Sequence, residues 1–194
     1  MEIMVQNFKK YYSVSEYLTI DEQLSAFRGK CPFRQFMPSK PAKYGIKTFA
    51  LVDAKTAYTV NLETYVGTQP EGPYKLSNSA QEVVLRLTEP VKGTNRNITG
   101  DNWFSSIPLI ERLKENKLTY VGTLRKNERE IPKEFISSTG RSIKSSLFGF
   151  QNDKTLVSYY PKRNKVVLLV SSMHHHDSID SDTGADKKPE VVTF

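Results

Sequence analysis

The chain has 194 residues, of which 38% are apolar and 25% charged, with a formal net charge of +7. This length suffices for one domain with a substantial core and is too short for a large multidomain enzyme. The share of apolar residues excludes a chain that is disordered over its whole length. A single cysteine, Cys31, excludes an intramolecular disulfide and a cysteine-based zinc site. The charge is uneven: residues 1–170 hold 26 bases and 16 acids, a net of +10, whereas residues 171–194 are net acidic. A basic body of this kind suggests a polyanionic partner.

Neither a membrane span nor a signal peptide is predicted. The longest aliphatic run, 166–170, is far too short to cross a bilayer. The first residues lack the apolar run of a signal peptide. We therefore expect a soluble intracellular protein with no membrane partner.

The first 45 residues are rich in basic and aromatic side chains and are interrupted by Pro32, Pro38 and Pro41. Prolines at this spacing oppose a long helix, and they favour an extended, wrapping segment. Within it, Asp21 and Glu22 precede an apolar stretch. We expect these two acids to stabilise the first turn of a helix, because carboxylates suit helix N-termini.

A β-hairpin is predicted after this segment. Residues 47–53 (KTFALVD) form a mostly apolar, β-favouring run, which predicts a strand buried on both faces that ends at Asp53. Residues 58–65 (YTVNLETY) alternate between apolar and polar side chains, as in a half-exposed antiparallel strand. The short link 54–57 between the two strands predicts the hairpin.

Helix and strand patterns alternate in the next part of the chain. Residues 79–87 have helical apolar spacing, with Asn78 as the expected N-cap. A short strand follows and ends at Asp101. Ser106 begins a second helix, and residues 118–124 (LTYVGTL) predict another strand. The order hairpin, helix, strand, helix, strand indicates a mixed α/β fold.

The pattern of secondary-structure signals changes beyond Arg125. Three short β candidates, at 147–150, 155–160 and 165–171, are separated by Gly, Asn, Pro and Lys. They predict a β-rich insertion or subdomain. The residues from 172 to 190 are polar, and we interpret them as a linker.

Two carboxylates are the main chemical candidates. Asp53 and Asp101 each end a short apolar strand, a costly position for a charge unless it is solvated, paired or bound to a cation. If the two strands are neighbours, both carboxylates face one end of a sheet. There they could hold Mg²⁺, which prefers oxygen ligands and often combines protein carboxylates with substrate phosphates. The alternative is that each aspartate only begins a turn.

The cluster Arg125, Lys126 and Arg129 is the candidate contact for DNA phosphates, and a solvated basic loop is the equally weighted alternative. The run 174–177 (HHHD) contains metal-ligating side chains, but adjacent histidines point in different directions, which favours a solvated linker. Trp103 and Phe104 could stack on bases. Aromatic side chains after a strand more often pack a core, and we favour that interpretation.

Six motifs follow one another in order over nearly the whole chain. They are 20–24 (IDEQL), 27–34 (FRGKCPFR), 38–47 (PSKPAKYGIK), 96–108 (RNITGDNWFSSIP), 121–127 (VGTLRKN) and 129–132 (REIP). Together these motifs resemble the catalytic domain of piggyBac-type transposases.

The resemblance implies an α/β fold: an RNase H-like mixed sheet with flanking helices and a β-rich insertion, incomplete at the C-terminus. It also implies Mg²⁺-dependent DDE/D chemistry, in which double-stranded DNA is cut at transposon ends and joined at TTAA targets. The first two catalytic, metal-binding aspartates match Asp53 and Asp101. A nuclear location follows from the family, and a homodimer is one assembly open to it.

The third family aspartate follows a motif that has no counterpart in this sequence. With two carboxylates in place of three, each metal ion loses ligands, so we expect the chain to be inactive alone. The alternatives are a domesticated, non-catalytic DNA-binding or protein-interaction module and an inert product of a decaying element. The resemblance divides the chain into an N-terminal segment (1–45), an RNase H-like core (46–125), the insertion (126–171) and a polar end (172–194).

Overall fold

The computed structural model describes residues 2–73 and 75–194, which form two compact units. The first unit extends to Arg96, and the second runs from Asn97 to Phe194. A membrane-spanning helix is not found among the described residues.

The first unit is an antiparallel sheet with two helices. Its elements are α1 (Glu2–Tyr11), β1 (Tyr17–Ala26), β2 (Gln35–Phe36), β3 (Tyr44–Asp53), β4 (Thr59–Thr64) and α2 (Ala80–Thr88), followed by a 3₁₀ turn at Glu89–Val91. Strand β3 pairs with β1 from Gly45 to Asp53, and it also pairs with both β2 and β4. Its partners therefore hold β3 at the centre of this sheet.

The core of the first unit lies between this sheet and α2. Ile20, Phe49 and Leu51 are buried on the sheet, and Val84 and Leu87 are buried on the helix. From Phe49 to Asp53 in β3, the buried residues alternate with half-buried ones. The prediction of a strand ending at Asp53 is confirmed, but its burial is one-sided, because antiparallel sheets commonly pack only one face fully.

The β3–β4 hairpin is confirmed, as is the helix that follows it. Helix α2 begins one residue later than expected, however, because Ser79 is its N-cap and accepts a hydrogen bond from the backbone N–H of Glu82. Asn78, the predicted cap, donates its side-chain amide to the carbonyl of Gly67. Asn and Ser are equally good caps, so sequence alone does not choose between neighbours.

One expectation for the N-terminal part fails only over its first residues, and another is wrong. Residues 2–11 form α1, since the prolines that disfavour a helix all lie beyond residue 31. Asp21 and Glu22 do not begin a helix: they lie within β1, opposite Ala50 and Phe49 of β3. The long pairing with β3 outweighs the local preference of these acids. The domain boundaries at 45, 125 and 171 stay a prediction.

The second unit is a mixed sheet with flanking helices. Its elements are β5 (Asn97–Gly100), α3 (Ile107–Glu115), β6 (Thr119–Leu124), α4 (Lys133–Ile136), β7 (Ser145–Gln151), β8 (Lys154–Lys162), β9 (Lys165–Ser171), a 3₁₀ helix (Ser181–Asp186) and α5 (Glu190–Thr193). Strands β5 and β6 are parallel, and α3 connects them; β9, β8 and β7 continue the sheet in antiparallel pairing.

Most elements of this unit agree with the sequence patterns, including all three strands predicted beyond Arg125. Ser106 is the N-cap of α3, as expected, and accepts from the backbone N–H of Leu109. The polar stretch from 172 to 190 is more ordered than a linker. Tyr159 donates a hydrogen bond to the carbonyl of Asp186, and Ile179 forms a β-bridge with Pro189.

Candidate active site

Asp53 is a buried carboxylate at the end of β3, with 0% of its surface exposed. The chain turns directly after it into β4. An aspartate suits such a turn, because its side chain accepts from the backbone N–H groups that the turn exposes. Lys55 and Thr56 provide these donors, at 2.8 and 3.2 Å from Oδ1.

A second set of donors reaches Asp53 from the segment between α1 and β1. The backbone N–H of Ser15 lies 2.6 Å from Oδ2, and its hydroxyl donates to Oδ1 at 2.9 Å. The Tyr12 hydroxyl is 3.4 Å from Oδ2, while it lies 2.9 Å from Thr56 Oγ1. Asp53 therefore has both the hydrogen bonds of a turn and those of a distant segment.

These hydrogen bonds decide the ionisation of Asp53. Burial by itself raises the pKa of a carboxyl group, because it penalises the charged form. The hydrogen bonds from Ser15, Lys55 and Thr56 stabilise the anion and outweigh this penalty, so the pKa of Asp53 is lowered to about 2. Asp53 is thus a carboxylate at neutral pH, the form that a metal ion requires.

Asp101 follows β5 and is exposed. Its Oδ1 accepts from the backbone N–H of Trp103 at 2.8 Å and more weakly from that of Phe104 at 3.4 Å. No hydrogen bond to Asp101 Oδ2 is found among the described residues. This oxygen is therefore open to solvent ligands or cations.

A buried network lies beneath the Asp101 loop. The hydroxyl of Ser105 donates to the main-chain carbonyl of Asp101 at 2.8 Å, and it lies 2.8 Å from the hydroxyl of Tyr120. Burial raises the pKa of Tyr120 well above its usual range, so its hydroxyl stays protonated. A Cβ at Gly100 would collide with this hydroxyl, which explains why the position is occupied by glycine.

Asp53 belongs to the first unit and Asp101 to the second, and each lies at or just after the end of a strand, as the sequence predicts. Within the described ranges, no group of three or more His, Cys, Asp or Glu side chains is close enough to hold a metal ion. Taken separately, each aspartate offers oxygen atoms of the kind that Mg²⁺ prefers: Asp53 is an ionised carboxylate, and Asp101 has a carboxylate oxygen with no hydrogen-bond partner among the described residues. Their role as metal ligands stays a prediction.

The basic loop after β6 presents Arg125, Lys126 and Arg129 to solvent. In the described part of the chain, none of these three side chains forms a hydrogen bond or an ion pair. Unpaired cations on an exposed loop are available to phosphates, but they are equally compatible with a solvated surface. The assignment of these residues to DNA binding therefore stays a prediction.

The aromatic pair 103–104 and the first histidine of the run 174–177 have structural roles. Phe104 is buried, in agreement with the core interpretation, and Trp103 packs edge-on against its ring. His174 is not part of a solvated linker: it is half-buried, and its Nδ1 lies 2.8 Å from Ser171 Oγ. His175 and His176 are exposed.

Ser15 and Arg96 were not identified by sequence reasoning. Ser15 contacts Asp53 across 38 positions, and Arg96 contacts the backbone of Ser15 across 81. No local pattern encodes such pairs. The only signal was that Arg96 begins the motif 96–108.

A family profile described as Transposase IS4 matches residues 1–193. The structure is similar to that of a piggyBac transposase solved by cryo-EM in a synaptic complex with hairpin DNA, with a TM-score of 0.89 and 43% sequence identity. This similarity covers 99% of the present chain and 40% of the piggyBac transposase chain, so the present chain spans two fifths of that protein's length. Both the motif-based resemblance and the predicted fold class are confirmed.

Proposed function

Because the chain belongs to the piggyBac-type transposase family, we propose that it is a segment of a DDE/D catalytic domain for Mg²⁺-dependent DNA transposition. The observation that carries this proposal is the 43% identity over 99% of the chain to a piggyBac transposase. That transposase was solved with hairpin DNA. We therefore propose double-stranded DNA at transposon ends as the substrate, with TTAA-type targets and a nuclear location, and a homodimer as one assembly state.

Asp53 and Asp101 are the proposed metal ligands. When bound, Mg²⁺ activates a water molecule or a 3′-hydroxyl and stabilises the leaving oxygen of the phosphodiester. Asp53 contributes an anion that its hydrogen bonds keep ionised and fixed. Asp101 contributes an exposed carboxylate on a loop held by Ser105. The proposal gives these two residues the task of binding and orienting the ion.

The sequence matches two of the three family aspartates. We therefore propose that the 194-residue chain, tested alone, does not complete strand transfer. The test is a cleavage and strand-transfer assay on transposon-end DNA with a TTAA flank, in Mg²⁺ and in Mn²⁺. We expect at most weak nicking that is lost in Asp53→Asn and in Asp101→Asn. Robust strand transfer would contradict the proposed inactivity, and nicking that survives both substitutions would contradict the assigned sites.

DNA contact is proposed for the exposed loop of Arg125, Lys126 and Arg129. Each cation that neutralises a phosphate releases a counterion, so log affinity falls with log salt by about 0.9 per contact. Replacing all three residues by Gln should reduce this slope by up to about 3. A matched control replaces three exposed bases at the β8–β9 turn, namely Lys162, Arg163 and Lys165, and should leave the slope closer to that of the wild type. Equal effects of the two triple variants would refute the assignment.

A second candidate function is a domesticated, non-catalytic DNA-binding or protein-interaction module. The net charge of +10 over residues 1–170 favours it, because this charge attracts polyanions whether or not catalysis occurs. Salt-dependent DNA binding that survives Asp53→Ala and Asp101→Ala, without any metal-dependent nicking, would support this function. The absence of any DNA binding at low salt would exclude its DNA-binding form.

A further inference from the structure

The segment between α1 and β1 is held against Asp53 by Ser15. Among the described residues, Ser15 alone contacts both carboxylate oxygens, with its N–H on Oδ2 at 2.6 Å and its hydroxyl on Oδ1 at 2.9 Å. Two contacts from one residue restrict rotation of the carboxylate about its last torsion. Ser15 thereby sets the plane in which the oxygens of Asp53 lie.

Arg96 in turn holds Ser15. Its Nε donates to the carbonyl of Ser15 at 2.8 Å, and its Nη2 donates to the carbonyl of Val14 at 2.8 Å. The guanidinium is planar and presents its donors in a fixed fork, so two consecutive carbonyls are held at once. A lysine could not reproduce this geometry, because its ammonium group is a single point of contact.

The donors on the two oxygens of Asp53 are unequal. Ser15 Oγ and the N–H groups of Lys55 and Thr56 converge on Oδ1. Oδ2 has one close donor, the N–H of Ser15, and the more distant Tyr12 hydroxyl at 3.4 Å. A carboxylate oxygen offers about two lone-pair sites. The Tyr12 hydroxyl lies closer to Thr56 Oγ1, at 2.9 Å, and when it donates to Thr56 the second site on Oδ2 is available to a cation.

We propose that Ser15 is a positioning residue for the metal-binding carboxylate of Asp53, and that Arg96 holds Ser15 in that position. This inference rests on the proposed function, which makes Asp53 a metal ligand. Partners that hydrogen-bond a metal ligand orient it, and removing one typically weakens metal affinity about 10- to 100-fold. Loss of Ser15 or Arg96 should therefore weaken the affinity for the ion even in a variant that remains folded.

The test measures Mn²⁺ binding to the 194-residue chain by the EPR signal of free Mn²⁺, with thermal unfolding followed in parallel. Asp53→Asn should remove the binding that depends on this carboxylate. Ser15→Ala and Arg96→Lys should weaken that binding about 10-fold. Ser15→Thr keeps a hydroxyl, so it should bind Mn²⁺ with the affinity of the wild type. Ser13→Ala is the matched control, because Ser13 is exposed and lies two positions away; its affinity should equal that of the wild type.

The outcomes separate the two claims. Wild-type binding that equals that of Asp53→Asn would overturn the metal role of Asp53, and with it this inference. Binding lost in Asp53→Asn but unchanged in folded Ser15→Ala and Arg96→Lys would overturn the positioning role alone. If Ser15→Ala fails to fold, Arg96→Lys decides. If Ser15→Thr binds Mn²⁺ as weakly as Ser15→Ala, the loss of affinity comes from packing, and this result also overturns the inference.

Discussion

A methyl group at Gly122 should disturb the packing beneath the Asp101 loop. Gly122 in β6 pairs with Gly100 in β5. A Cβ at Gly122 would lie 2.6 Å from the carbonyl oxygen of Gly100 and 2.6 Å from Ser105 Oγ, both closer than real Cβ contacts allow. Because Ser105 holds the carbonyl of Asp101, Gly122→Ala acts on the loop that carries this carboxylate.

The expected cost follows from the atoms that the methyl group meets. The carbonyl oxygen of Gly100 is backbone and cannot rotate away, and Ser105 Oγ already forms two hydrogen bonds. The third atom, Tyr120 Cε1 at 2.8 Å, belongs to a fully buried ring. Overpacking of this kind costs about 1–3 kcal/mol. For a chain of this size, each kcal/mol lowers the melting temperature by about 2–4 °C. Gly122→Ala should therefore lower it by about 2–12 °C.

Thermal unfolding followed by circular dichroism measures this loss, with Gly72→Ala as the matched control. A Cβ at Gly72 would meet nothing within 4 Å, so its effect should stay within about 0.5 kcal/mol. Trp103 is the only tryptophan of the chain and lies in the Asp101 loop, so its fluorescence should shift in Gly122→Ala. Equal melting temperatures for both variants, with unchanged fluorescence, would refute the close packing.

Three further predictions concern charge and hydrogen bonding. The pKa of Asp53 is about 2 against an ordinary 3.8, so its stabilising contribution is complete above pH 3.8 and is lost as pH falls towards 2. In Asp53→Asn, the free energy of unfolding should therefore depend less on pH between 3.8 and 2. An unchanged pH dependence would contradict the lowered pKa. Burial lowers the pKa of His174, so the folded state loses stability as pH falls below 6.5. His174→Gln should reduce that loss in thermal unfolding, and an equal effect of exposed His176→Gln would contradict it. Arg86 donates two hydrogen bonds to Glu63, at 2.7 and 2.8 Å. Arg86→Lys should cost about 0.5–1.5 kcal/mol in urea unfolding, and wild-type stability would contradict this.

Local signals in the sequence predicted much of the fold. Alternation in 58–65 indicated β4, and Ser106 before an apolar stripe indicated the start of α3. Such patterns depend on residues within one turn or one strand. They were misleading where a distant partner decides the structure: Asp21 and Glu22 suggest a helix start, but they pair with β3.

The candidate site was only half accessible from sequence. The strand ends at Asp53 and Asp101 followed from runs of apolar residues that stop at a carboxylate. The ionisation of Asp53 did not follow, because it depends on Ser15, whose hydrogen bonds span 38 positions. The hydrogen bond from Arg96 to the carbonyl of Ser15 spans 81 positions, and no local sequence pattern predicts it.

The proposed role of Asp53 and Asp101 as ligands of the catalytic metal can be tested by iron-directed cleavage of the chain. Fe²⁺ bound in place of Mg²⁺ generates hydroxyl radicals with ascorbate and peroxide, and these cut the backbone beside the ligands. This role predicts cuts next to residues 53 and 101, which excess Mg²⁺ suppresses and which are absent in Asp53→Asn. Cuts confined to His174, His175 and His176, or cuts at 53 and 101 that persist in Asp53→Asn, would contradict it.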